Sequence, residues 1–309
     1  MPTTPAAAHL EALPDLFPGF EHHTIAAGEV KLNLRTGGRG PALVLLHGYP
    51  QTHVCWHAIA PALAEHFTLI IPDLRGYGRS EAPPADEGHL AYAKRTMAAD
   101  IVALMRALGH ERFMLAGHDR GGRVAYRLAL DHAARVSRLV LLDIVPTSVQ
   151  WQHLTAQKAL SGYHWQFLAQ PSPMPETLIG ADPAYYVQHT IASWTRTKDL
   201  SAFAQPALAH YRAALMPPER RMAVCEDYRA GATIDWRLDV EDEAAARRID
   251  CPTLVLWGDD YLGKGAVDVL GTWRHWCRDV RGMSVRSGHF LAEEATAEVS
   301  RHMLSFLQA

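Results

Sequence analysis

The stretch FMLAGHDRGGRVAYRLALDHAARV (113–136) changes character in its middle. FMLA is a short apolar run, the mark of a strand buried on both faces of a sheet. RGGRVAYRLALDHAARV reads as a helix that follows directly. Between them stands Gly117-His118-Asp119-Arg120-Gly121. Small residues around the central one permit a sharp strand-to-helix turn. Such a turn pushes Asp119 out over the carboxyl edge of the sheet, where ligands bind in sheets of this kind. An aspartate that merely caps the next helix would also fit the pentapeptide. What surrounds it decides between the two.

Working outward, ALVLLH (42–47) and FTLIIPD (67–73) also read as buried parallel strands, with VCWHAIAPALAEHF as a helix before the second. Met97, Ile101, Leu104, Met105 and Leu108 share one helical face that Gly109 terminates. RLVLLDI (138–144) and PTLVLWGDD (252–260) are two further strands. A last one near Met283–Arg286 precedes Ser287-Gly288-His289 and a helix from about Ala292. Strand–helix alternation predicts a doubly wound, mostly parallel α/β sheet with helices on both faces. The stretch 146–247, rich in Trp, Tyr, Ala and Pro, interrupts the alternation. It reads as an inserted helical cap in two parts divided by QPSPMPETLIGADP, on a core formed by 1–145 and 248–309. A chain of 309 residues can hold one such domain with a cap.

The residue at the turn sets the chemistry. Serine there would attack acyl groups. A carboxylate can instead displace a leaving group from a saturated carbon, giving an ester of Asp119 that water then cleaves. His289, in a loop after the last strand, is placed to take the proton from that water. An acid must orient His289. Asp143, at the end of RLVLLD, competes for this role with Asp259 and Asp260, at the end of TLVLWGDD. His47-Gly48-Tyr49-Pro50 follows an early strand, and the N–H of Tyr49 with that of Arg120 would form an oxyanion hole. Arg120 and Arg123 lie three apart in the first turn of the helix after Asp119, on one side. Cations there oppose the helix dipole, so stability alone does not favour them. Their planar forks suit a carboxylate and argue for an anionic substrate.

Composition narrows the partners. The net charge is −3 with scattered basic residues, so neither nucleic acid nor a membrane surface has an electrostatic footprint. The opening MPTTPAAAHLEALPDLF has the pattern of neither a signal peptide nor a membrane span. Cys55, Cys225, Cys251 and Cys277 form no CxxC pair and read as free thiols of a reducing cytoplasm. His53 and His57 have helical spacing but no completing ligand, which favours a structural role, and His22-His23 reads as a loop pair.

GHDRGGRVAYRLALDHAARV, with LLHGYPQTHVCWH before it and LLDIVPT after it, resembles the fluoroacetate and haloacetate dehalogenases of the α/β-hydrolase fold. The similarity continues through GYHWQFLAQPSP, SWTRTKDLSAF, CEDYRAGA and SGHFLAEE, nearly the whole chain. It implies displacement of fluoride or chloride from haloacetate to give glycolate, with no cofactor or metal, by a homodimer. It further implies that Asp143 is the acid partner of His289 and that Arg120 and Arg123 hold the substrate carboxylate. By the same resemblance His164, Trp165 and Tyr228 bind the halide, and Trp194 shapes the pocket. One departure is the acidic pair in LWGDDYLGKG.

The main rival is an epoxide hydrolase, which shares the Asp and His and adds two cap tyrosines as acids. Tyr163, Tyr185, Tyr186, Tyr211 and Tyr228 are available, but two arginines do not suit a neutral epoxide. A haloalkane dehalogenase usually has Trp after the nucleophile, where Arg120 stands. A non-catalytic binding protein on this scaffold would have lost Asp119 or His289, and both are present.

Overall fold

In the computed structural model, which describes residues 13–309, eight strands form one sheet in the order β1-β2-β4-β3-β5-β6-β7-β8. They are β1 Glu21–Ala27, β2 Val30–Gly38, β3 Ala42–Leu46, β4 Thr68–Pro72, β5 Phe113–His118, β6 Val136–Leu142, β7 Thr253–Gly258 and β8 Val280–Val285. From β4 through β8 every pairing is parallel, while β1–β2 and β2–β4 are antiparallel. The doubly wound expectation therefore holds. Every residue of β3 is buried, because helices cover both faces of a parallel sheet. Leu43, Val44, Leu45 and Leu46 are wholly inaccessible, and truncating such a leucine to alanine costs roughly 2–5 kcal/mol.

The hairpin β1–β2 was not read from the sequence. Its first strand lies at the sheet edge, exposed along most of its length, so it lacks the continuous apolar run of a central strand. His22 and His23, expected in a loop, stand in β1 instead; His22 bonds Asn33, and His23 lies 2.9 Å from the Thr36 hydroxyl. The helix after the elbow ends at Asp131 rather than continuing to Val136, which opens β6. His53 bonds the buried Asp73 carboxylate at 2.8 Å and His57 the Val54 carbonyl at 2.9 Å, so the two rings serve separate partners. All four cysteines are free and buried.

Between β6 and β7 run eight helices and no strand: Thr147–Gln152, Ala156–Ser161, His164–Leu168, Met174–Ala181, Pro183–Trp194, Gln205–Ala214, Pro218–Ala232 and Ile234–Ala244. The stretch QPSPMPETLIGADP, expected as a divider, holds the helix Met174–Ala181, started by prolines that suit a first turn. Among the described residues no helix is long and apolar enough to cross a membrane. Residues 1–12, with most of the opening stretch read above, lie outside the described part.

Strand order explains how distant residues meet. Strands β3, β5, β6, β7 and β8 are consecutive neighbours and parallel, so all five end at one edge. The segments that follow carry Tyr49, Asp119, Asp143, Asp259 and His289 respectively. The helical insertion leaves from that edge after β6, and the chain re-enters the sheet at the opposite edge, where β7 begins beside the start of β6.

Candidate active site

The elbow is a strained turn. Asp119 has φ +46°, a left-handed value costly for a residue with a Cβ. The turn closes tightly enough that a Cβ at Gly121 would lie 2.4 Å from the His47 carbonyl oxygen, and one at Gly117 would lie 2.5 Å from that of Gly121. The helix Asp119–Asp131 begins at once, so the Arg120 N–H, in its first turn, has no intrahelical acceptor. The Tyr49 N–H donates to Asp119 Oδ1 at 2.8 Å. His47 supports that loop: its Nδ1–H donates to the Gly48 carbonyl at 3.0 Å while Nε2 accepts from the Leu74 N–H at 3.0 Å.

Asp119 is 6% exposed. Burial alone would raise its carboxyl, but His289, Arg120, His118 and Arg123 outweigh that and leave it below the usual carboxylate range. It is therefore ionised at neutral pH. His289 Nε2 lies 3.9 Å from Asp119 Oδ2, too far for a direct bond and open to a bridging water. On its other side His289 Nδ1–H donates to Asp143 Oδ2 at 2.6 Å. Asp143, also left-handed at φ +52°, takes the Gly258 N–H on Oδ1 at 2.9 Å. Burial lowers the affinity of His289 for a proton; the bond to Asp143 and the charges of Asp143 and Asp119 more than restore it, so its pKa is raised.

Asp259 and Asp260 make no such contact. Asp259 pairs with Arg196 of the insertion and accepts the Ser287 N–H, while Asp260 pairs with Lys264. Both are strand-end carboxylates, as expected, but they face solvent-side cations. Replacing Asp143 with Asn should cut turnover by about 10²–10⁴-fold, and Asp259→Asn should change it by less than about twofold, read in one steady-state assay.

Both arginines are buried and mostly committed. Arg120 gives Nε to Asp227 Oδ2 at 3.1 Å and Nη2 to Asp227 Oδ1 at 2.6 Å and to the Asp227 carbonyl at 2.7 Å. Arg123 gives Nη1 to the Val145 carbonyl and the Thr147 hydroxyl, each at 3.0 Å. Arg120 is not a free fork: Nη1 is its unpartnered buried nitrogen. Arg123 is bonded through Nη1 alone, and its buried Nε has no partner among the described residues. Aromatic faces support both cations: Trp165 lies 4.6 Å from the Arg123 guanidinium carbon and 5.2 Å from that of Arg120, and Tyr228 lies 4.2 Å from the latter.

The insertion closes the site. His164, Trp194 and Tyr228 converge, with ring centroids 4.2 Å apart for His164–Trp194 and 5.7 Å for His164–Tyr228. His164 Nδ1, Trp194 Nε1 and the Tyr228 hydroxyl are buried and without partners among the described residues. Burial pulls the His164 pKa down to about 3, so the ring is neutral. The site thus pairs one ionised carboxylate with a ring of donors that lack acceptors. Buried donors left this way cost free energy unless a ligand meets them.

Three participants were not singled out from sequence. His118, pulled to about 3 by burial and His289, donates Nε2–H to the His289 carbonyl at 2.8 Å and so fixes that loop. Tyr261 packs its ring 4.6 Å from that of His289. Asp227 holds Arg120; only its adjacency to Tyr228 in CEDYRAGA hinted at it. The Trp194 carbonyl accepts the His289 N–H at 2.9 Å, tying insertion to core at the base of the site.

Residues 41–296 match the family model described as the alpha/beta hydrolase fold, and the chain belongs to that family. Within it, the chain resembles the fluoroacetate dehalogenase of Burkholderia sp., 40% identical over 94% of this chain and 95% of the relative, which bears out the likeness drawn from the elbow and insertion motifs. It is also similar to a soluble epoxide hydrolase of Corynebacterium sp. (strain C12), 32% identical over 92% of this chain and 96% of the other. Among solved structures, one from Nostoc sp. PCC 7120 described as an α/β hydrolase superposes with a TM-score of 0.90 at 49% identity, covering 93% of this chain and 98% of that one.

Proposed function

We propose that this hydrolase releases halide from a haloacetate, fluoroacetate or chloroacetate, and forms glycolate. The observation that carries the reading is the pair of unpartnered buried guanidinium N–H groups, Arg120 Nη1 and Arg123 Nε, beside an ionised Asp119. They match the two oxygens of one small carboxylate.

The substrate carboxylate lies against these donors, which also offset its repulsion from Asp119. An Asp119 oxygen attacks the halogen-bearing carbon in line; a C–O bond forms as the C–X bond breaks, and the halide leaves with the bonding electrons. His164, Trp165 and Tyr228 hold the departing halide, with His164 Nδ1 and the Tyr228 hydroxyl as unmet buried donors and Trp165 also bracing the arginines, while Trp194, whose Nε1 is likewise unmet, shapes the pocket. Water then attacks the carboxyl carbon of the Asp119 ester. His289 takes its proton, Asp143 stabilises the resulting imidazolium, and the N–H groups of Tyr49 and Arg120 hold the oxyanion. On collapse the glycolate oxygen takes the proton from His289, and the carboxyl regenerated on Asp119 ionises. One halide and one proton leave per turnover. In this reading the helices of 146–247 act as a cap over the 1–145 and 248–309 core. The proposed form is a cytoplasmic homodimer, checked by sedimentation.

Similarity to an epoxide hydrolase and the unpartnered Tyr228 hydroxyl favour a second reading, epoxide opening by the same Asp119. A neutral epoxide, however, would leave the two guanidinium N–H groups buried without acceptors. Fluoroacetate, chloroacetate and styrene oxide assayed side by side test both readings. Halide release should exceed diol formation; diol alone would overturn the dehalogenase reading. Arg123→Ala should raise the apparent KM for haloacetate about 10- to 100-fold, as loss of a charged hydrogen bond implies; an unchanged KM removes the carboxylate role.

The pH profile follows from His289. Its neutral form is the base, and its pKa is raised above the ordinary value of about 6.5. Turnover should therefore fall as pH drops through that raised value. Asp143→Asn removes the cause, so the acid limb of its residual activity should move to lower pH; an unmoved limb would show that another group titrates.

A further inference from the structure

The commitment of Arg120 raises a question that its carboxylate role alone leaves open. A guanidinium free to rotate could offer either edge, and one fully neutralised by a buried acid would hold an anion poorly. Around Arg120 the insertion helix Pro218–Ala232 supplies Asp227, which is wholly buried, as is Arg120. Asp227 takes both Nε–H and Nη2–H, the latter also bonded to its own carbonyl. Only Nη1 is left.

Asp227 is itself held by two other donors. The Tyr77 hydroxyl donates to Oδ2 at 2.7 Å, and the buried Lys94 ammonium bonds Oδ1. Lys94 in turn stands 3.5 Å from Asp235, whose Oδ1 accepts the Lys94 N–H at 2.8 Å. Two cations thus share the charge of Asp227, with Asp235 on the Lys94 side of the cluster. The countercharge to Arg120 is divided, and Arg120 keeps attraction for a second anion. Buried charge clusters of this kind rarely improve stability over apolar packing, so a role in orientation accounts for one here.

We propose that Asp227, fixed by Lys94 and Tyr77, is a positioning residue that turns Arg120 so that Nη1 alone meets the substrate's acid group, and that Lys94 sets the site's preference for an anion. The inference rests on the carboxylate role proposed above for Arg120. It ties recognition to the insertion: the residue that aims Arg120 and the neighbouring Tyr228 arrive on one helix, so the anion site is complete only when that helix is seated on the core.

Titration calorimetry with acetate, which has the acid group and no leaving group, tests it without turnover. The unaltered protein should bind acetate; Asp227→Asn and Lys94→Gln should each weaken it at least about tenfold, the range expected for a charged hydrogen bond. Lys94→Arg should recover most of the loss, and in chloroacetate turnover the defects should appear in KM more than in kcat. A general packing role would lower the melting temperature of Lys94→Arg and Lys94→Gln alike without that recovery. If neither Asp227→Asn nor Lys94→Gln folds, Tyr77→Phe removes one O–H from the same carboxylate and should still weaken acetate measurably. Unchanged acetate affinity in a folded Asp227→Asn, or in Tyr77→Phe where that variant decides, overturns the proposal, as does failure of the unaltered protein to bind acetate. Halide release by the unaltered protein is scored separately. Acetate binding that needs Asp227, without release from any haloacetate, sinks the dehalogenase reading and keeps this one; release with affinity indifferent to Asp227 does the reverse.

Discussion

Asp119→Asn should abolish halide release, by more than about a thousandfold, while leaving the fold and acetate binding in place. The side chain is nearly isosteric, and the Tyr49 N–H that donates to Oδ1 still finds an oxygen there. What is lost is the proposed nucleophile. Asp119 is kept ionised against its burial by His289, Arg120, His118 and Arg123, and an amide has no negative oxygen to put on carbon. The surrounding cations then lack their anion, so acetate affinity in Asp119→Asn should hold or rise. Full turnover in this variant, with deamidation back to Asp ruled out by mass spectrometry, would remove Asp119 as the attacking group. The strained φ of +46° makes the same point from the backbone: a capping role would not need it.

What was legible in the sequence is what is local. GHDRG declares a turn because glycines are the residues that fit where the Gly121 backbone meets the His47 carbonyl. The strands β3, β5, β6 and β7 are apolar along their length because both faces are covered. The β1–β2 hairpin gives no such run, since an antiparallel edge strand needs apolar residues on one face at most. The acid was harder. Asp143 and Asp259 both end parallel strands that are neighbours in the sheet, so spacing could not separate them. The left-handed backbone at Asp143 and the Arg196 partner of Asp259 do, and neither is written in a local pattern. The arginines show the same limit. Their placement beside the nucleophile was visible, but their partners were not: Asp227 comes from far along the chain, Val145 and Thr147 from the start of the insertion. Each guanidinium therefore offers one edge where the sequence suggested a whole fork.

His289→Gln should separate the two halves of the reaction. The first half needs the Asp119 carboxylate and the donors for the halide; His289 adds to the charge that keeps Asp119 ionised, but Arg120 and Arg123 remain to hold it so. One equivalent of halide should therefore appear in a burst at a rate within roughly tenfold of the unaltered enzyme, followed by arrest. Hydrolysis needs a base for the attacking water, and Gln has none; loss of general-base catalysis here costs about 10²–10⁴-fold. The enzyme should then accumulate with Asp119 carrying one carboxymethyl group, detectable by mass in the peptide holding residues 113–123. In the unaltered protein the imidazole Nε2 stands 3.9 Å from Asp119 Oδ2, a gap that a water attacking the ester carbon can bridge, while Asp143 holds the opposite nitrogen at 2.6 Å. The pH profile gives an independent check. The residual hydrolysis in His289→Gln should lose the acid limb that the raised His289 pKa imposes, because hydroxide rather than a side chain then limits the step. Steady turnover in His289→Gln with no ester on Asp119 would mean that water reaches the substrate carbon directly, and that the carboxylate at the elbow serves as a base instead of a nucleophile.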